Sequence, residues 1–241
     1  MYRYCYCNFI EGNKIKKQHN KMSVSNGGLP SEESATLFST LPGQFPNVAE
    51  DREQKIKTRE FLDASSGVVI LVEKFGKVFA PVIYDMNGNI RKISGKYEED
   101  KENYEFVEDM VLKKRDAGDL VVVDALQWLR RALHFITRFF QSIIDDTDNN
   151  YNVQDLSPFV KNAYKETLER YHGWLGSQLF NILSRFTPNR QHLFYTLALE
   201  KHNKEEHVLR DLRMFTQRMS TCVQKLVDFY QLHDLETNDR V

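Results

Sequence analysis

The chain is 241 residues long, 41% apolar and 12% aromatic, with a formal net charge of −1. That length suffices for one large domain, or a domain with a tail, around a real core. The near-zero charge argues against a nucleic-acid binder, which needs a basic stripe. Three cysteines, Cys5, Cys7 and Cys222, make no disulfide framework and point to a reducing compartment, the cytosol.

Residues 1–30 read as a disordered extension, because Asn, Lys, Ser and Gly dominate from Asn13 to Gly28 without periodicity. No secretory signal is evident there. Met22 stands as an alternative start, and residues 31–241 form the folded domain. A short helix is expected after Ser31, whose hydroxyl can cap a turn carrying Glu32 and Glu33. Residues 41–47 hold two prolines and a glycine and read as a loop.

From Asp51 onward the pattern is helical. Ile56, Phe61, Leu62 and Val69 begin a long amphipathic helix that stops near Gly76. Its segment 68–72 is the longest purely apolar run, far short of the roughly 20 residues a membrane span needs. That run also fits a short buried strand, but no second strand exists to pair with it. The segment 120–144 carries two apolar stripes. One holds Val121, Ala125, Trp128, Ala132, Phe135 and Phe139. The other holds Leu126, Leu129, Leu133, Ile136, Phe140 and Ile143. Such a helix is buried on both sides, between two layers of helices. Arg130, Arg131, His134 and Arg138 are expected to mark its narrow solvent edge. Ser157 before Pro158, and Thr187 before Pro188, look like helix starts. Asn203 with Glu206 resembles a capping box opening a last helix over about 204–235.

Three groups of residues carry possible chemistry. Asp85, Asn89 and Lys92 share one helix face, with Gly88 among them at a cost of about 1 kcal/mol relative to Ala. By spacing alone they read as a solvated face, or as a polar row around a ligand. Trp128 reads as a core tryptophan or as a platform on which a sugar ring stacks. His172, within Tyr171-His172-Gly173-Trp174, reads as an ordinary structural histidine or as a donor to a ligand. Trp174 suits a membrane interface, one part of the ring wet and the other buried. No P-loop, nucleophile elbow or dinucleotide fingerprint occurs. His202 and His207 lack companions for a zinc site. The chain therefore reads as a non-enzyme without a cofactor or metal.

In order, these segments resemble the glycolipid transfer protein family: Phe79-Ala80-Pro81-Val82, then Asp85, Asn89 and Lys92, then Trp128-Leu129-Arg130-Arg131 with Phe135 and Phe139, then Tyr171-His172-Gly173-Trp174. The likeness covers roughly residues 33–241. It implies an all-α, two-layer sandwich of about eight helices around a lipid pocket. It also implies a carrier moving glycosphingolipids between membranes without chemistry. The expected ligand class is galactosyl-, glucosyl- or lactosylceramide. By this resemblance Asp85, Asn89, Lys92 and Trp128 hold the sugar, and Asp85 with His172 grips the ceramide amide. Phe79, Phe135, Phe139, Phe180 and Phe215 line the hydrocarbon pocket, and Trp174 docks to membrane. The protein is expected in the cytosol, transiently peripheral at membranes, as a monomer or weak homodimer.

Relatives that carry ceramide 1-phosphate place Lys where Asn89 stands and Arg where Trp128 and Ala132 stand. A phosphate here would lack those bidentate partners, which favours the sugar-binding branch. The alternatives are that phosphate-type carrier, or a glycolipid sensor acting through a protein partner. The chain departs from the resemblance at Asp239, where an aromatic residue is common, at Asp124, and at Ile70 and Leu71. These departures bear on chain and sugar selectivity.

Overall fold

The computed structural model describes residues 34–48, 54–238 and 240. Ser31, Cys5, Cys7, Asp239 and the extension 1–30 lie outside the described residues. Among those described there are eight α-helices and no β-strand beyond one isolated bridge. The helices are α1 (Thr58–Glu73), α2 (Ala80–Glu99), α3 (Val107–Asp116), α4 (Val121–Asp148), α5 (Ser157–Thr167), α6 (Trp174–Leu183), α7 (Arg190–Leu197) and α8 (Glu205–Leu232). A short 3-10 turn, Leu37–Thr40, precedes them, and residues 41–47 form the expected loop. The apolar run 68–72 is helical, as its lack of a strand partner requires.

The all-α sandwich is built on α4. It packs against α2, α3, α5 and α8, while α1 covers α2. Both apolar stripes account for this. Leu126, Leu129, Leu133, Phe140 and Ile143 are almost wholly buried, and burial of each such side chain contributes about 1.5–3 kcal/mol. A helix apolar on two sides is stable only with a layer on each. Val121 ends its stripe exposed, at the first turn.

One expectation fails within α4. Arg130 and Arg131 are not at the solvent edge but only 4% and 2% exposed. Of the expected edge only Arg138 is open, and it pairs with Glu166; His134 is half-buried. A charge pattern on one helix cannot reveal that a distant acid will cover it, and here Glu236, just past α8, does so.

The helix caps also differ. Ser157 does not cap α5; its own backbone N–H donates to Asp155 Oδ1 at 2.9 Å. Thr187 turns back to the Ser184 carbonyl, and Asn189 caps α7 by accepting from the His192 N–H at 2.8 Å. The α8 start has no side-chain cap, and Asn203 lies in the left-handed region at φ 59°. A Ser/Thr-Pro pair satisfies the start signal, but an Asx side chain nearby competes for the same backbone donors.

Two long-range ties set how the elements meet. Arg190 reaches back to α4, pairing with Asp146 and donating to Thr147 Oγ1 at 2.8 Å and the Val153 carbonyl at 3.0 Å. Buried Glu108 accepts from the Ile56 N–H at 3.0 Å, beside the bridge joining Lys57 and Phe106. That join fixes the N-termini of α1 and α3 together.

Candidate functional site: a polar row on α2 and an aromatic box at α4 and α6

Pro81 stands in the first turn of α2, where its missing N–H costs nothing. The helix then presents Asp85, Gly88, Asn89 and Lys92 on one face. Asn89 Nδ2 donates to Asp85 Oδ2 at 3.3 Å. Asn89 is buried at 5% exposure, while Asp85 and Lys92 are open to solvent. The Asp85 carboxyl is reached by water yet crowded by protein, and the lost hydration raises its pKa against the opposing pull of Lys92. The row thus offers an acceptor, an amide and a cation over about two helical turns. A Cβ built on Gly88 would meet nothing within 4 Å. The middle of the polar row is therefore open space.

The second group lies where α4 meets the turn between α5 and α6. Trp128 is half-buried. Its ring runs nearly parallel to the His172 imidazole, with centroids 6.4 Å apart and planes at 17°. Tyr171 meets the indole edge-on at 6.5 Å. His172 Nδ1 is 3.0 Å from the Tyr164 hydroxyl, which is 3.4 Å from Ser177 Oγ. With the phenol donating, Nε2 carries the ring proton and is the side that can donate. Burial lowers the His172 pKa, and Arg131 lowers it further, so the ring is neutral at pH 7. A Cβ on Gly176 would stand 3.0 Å from His172 Cβ and Cγ. The absence of a side chain there lets the ring lie against the first turn of α6.

The remaining expected residues fall into four places. Phe135 meets Phe180 edge-on at 6.4 Å, and Phe180 stacks on Tyr164 at 3.6 Å, with Phe139 tilted against Phe140 farther along α4. Phe79 packs with Phe75 between α1 and α2. Phe215 belongs to another cluster, 5.2 Å from Phe38 and 5.6 Å from Phe45. Trp174 opens α6 with 76% of its surface exposed, and Leu175, Ile182 and Phe186 are exposed as well.

Sequence reasoning missed several participants. Tyr164 holds His172, but nothing in its local pattern marks it. Arg131 packs on both aromatic rings, its Cζ 3.5 Å from the Tyr171 centroid and 4.7 Å from that of Trp128. Glu236 accepts from Arg130, from Arg131 at 2.8 Å and from the Tyr171 hydroxyl at 3.1 Å. Burial works to raise the Glu236 carboxyl, but the two guanidiniums outweigh it and hold it below its ordinary value.

Residues 56–199 match the family model "Glycolipid transfer protein (GLTP)". The chain belongs to the glycolipid transfer protein family. It is 31% identical over 216 residues to the mouse protein Pleckstrin homology domain-containing family A member 8, covering 86% of this chain and 40% of that protein. The chain thus spans less than half the length of such relatives. The solved GLTP-fold structure of FAPP2, described as selecting simple glycosphingolipids, is 29% identical, with a TM-score of 0.77 over 86% of this chain and all of that one. HET-C2, a fungal glycolipid transfer protein, is 25% identical, with a TM-score of 0.73 over 81% of this chain and 97% of that one. Among the described residues of this family member, no helix is long and apolar enough to cross a membrane.

Proposed function

We propose that this chain carries glycosphingolipids between membranes, holding the sugar at a surface site and the ceramide chains among apolar side chains. The observation that carries this reading is the open polar row of α2, Asp85, Asn89 and Lys92 around Gly88. Vicinal sugar hydroxyls need both acceptors and donors in a fixed pattern, and this row supplies both. Trp128 offers an indole face for the apolar side of the ring. A buried ceramide amide must have its N–H and C=O paired. The Asp85 carboxylate accepts from the N–H, and the neutral His172, held by Tyr164, donates to the carbonyl.

The membranes' part follows from hydrocarbon energetics. Moving an acyl chain into water costs about 0.8 kcal/mol per CH₂, so a carrier must supply an apolar sleeve. Phe135, Phe139 and Phe180 line that sleeve, with Phe79 at the α1–α2 junction and Phe215 on α8. Chain entry separates the Phe180 and Tyr164 rings. Trp174, with Leu175 beside it, enters the membrane interface during pick-up and release. The step is transport in the cytosol without chemistry, by a transiently peripheral monomer or weak dimer.

Transfer of galactosylceramide between vesicles tests this reading. Wild-type protein transfers it, and Asp85→Val and Trp128→Ala lose most of the rate. Wild-type rates in both variants overturn the site. Tighter binding of ceramide 1-phosphate than of galactosylceramide overturns the headgroup assignment.

A further inference from the structure

We infer that the segment following α8 clamps the aromatic platform, with Glu236 as a positioning residue that acts on Trp128 through Arg131. Arg131 lies against both the indole of Trp128 and the ring of Tyr171. A half-buried aromatic side chain keeps one orientation only if its neighbours hold it. Here the neighbour is a guanidinium, planar and suited to stacking. Its own anchorage is narrow. Nη2 donates to Glu236 Oε1 at 2.8 Å and also to the Thr237 carbonyl, whereas Nε and Nη1 are buried with no hydrogen-bond partner. All of the hydrogen bonding of this buried cation therefore runs to two consecutive residues of one segment.

The segment is itself tied at several points. Leu235 is buried in the core. Gln127 Nε2 donates to the Thr237 carbonyl at 3.1 Å and to its hydroxyl at 3.0 Å. Glu236 also takes the Tyr171 hydroxyl, one residue before His172, at 3.1 Å. One carboxylate thus orders Arg130, Arg131 and Tyr171 together, and through them both walls of the aromatic box. Removing its charge leaves two adjacent buried guanidiniums without an anionic partner, which forces them toward water. Trp128 then loses its backing while the helices stay packed.

The inference rests on the glycolipid reading for its consequence in binding, but not for its first readout. The chain has two tryptophans, Trp128 and Trp174, so Trp174→Phe makes Trp128 the sole tryptophan emitter. In that background, without lipid, Glu236→Gln is expected to raise acrylamide quenching of Trp128 by about twofold or more, as the cation that packs on the ring departs. Helix content by circular dichroism stays unchanged. Arg131→Lys keeps the charge but not the planar fork, and is expected to do the same; it decides the matter if Glu236→Gln does not fold. The ratio of galactosylceramide to ceramide affinity is expected to fall about tenfold in the same variants, the equivalent of about 1.4 kcal/mol. Simple loss of stability would weaken both lipids alike. Unchanged quenching in the folded variants overturns the clamp, as does equal weakening of both lipids. If wild-type protein shows no preference for galactosylceramide over ceramide, the glycolipid reading fails, and the lipid-free quenching alone decides the clamp.

Discussion

Gly88 separates stability from function more cleanly than any other position in the polar row. It is the ninth of 20 residues of α2, well inside the helix, where glycine costs about 1 kcal/mol relative to alanine. A Cβ there meets nothing within 4 Å, so Gly88→Ala carries no packing penalty. The full propensity gain should appear as about 1 kcal/mol of stability, or a rise of about 2–4 °C in Tm for a domain of this size. Gly88→Leu starts from the same open Cβ position, and its longer side chain projects between Asp85, Asn89 and Lys92. Residues three and four apart have Cβ atoms about 5–6 Å distant, so a leucine fills the gap where the sugar is placed. Losing two hydrogen bonds to charged groups at about 1.5–3 kcal/mol each corresponds to a fall in affinity of roughly a hundredfold or more. Thermal denaturation followed by circular dichroism measures the first quantity, and galactosylceramide transfer between vesicles the second. A stable Gly88→Leu protein that transfers at the wild-type rate would refute the headgroup placement. A Gly88→Ala protein less stable than wild type would refute the open space above the helix.

Three further outcomes are expected. His172 and His134 both have pKa values lowered, by burial first and by neighbouring arginines second. The unfolded chain then takes up protons near the ordinary value of about 6.5 while the folded chain does not. Stability is complete above pH 6.5 and declines as pH falls below it; His172→Gln should flatten that decline in a Tm series from pH 7.5 to 5.5. Asp146→Ala strands the buried Arg190 guanidinium and should cost about 3–5 kcal/mol in urea denaturation; a loss under 1 kcal/mol would show that the pair does not join α4 to α7. Trp174→Ala removes an exposed indole, so it should leave Tm within about 1 °C yet weaken vesicle co-sedimentation; unchanged vesicle binding would remove Trp174 from the docking surface.

The helical class and its central element were legible in the chain because they are written in periodicity. The two stripes of α4 require neighbours on both sides, and the fold packs α2, α3, α5 and α8 around it. The polar row was legible for the same reason, since Asp85, Asn89 and Lys92 sit at helical spacing on a helix that forms where expected. Caps were less legible. A start signal names which residue types serve, but at α5 and α7 an Asx side chain took the work from the Ser or Thr beside Pro.

By itself, then, the sequence determined what depends on neighbours three or four residues away: the helices, their buried faces, and the order of acid, amide, cation, indole and imidazole along them. Only the tertiary structure decided which charges go inside. Arg131 reads as a surface residue because its helix gives it no acidic partner at helical spacing. It is buried because Glu236, 105 residues later, returns to neutralise it. Likewise Tyr164 becomes the support of His172 only when α5 folds back on the start of α6. A buried charge needs its partner in space rather than in sequence, and that partner is specified by packing alone.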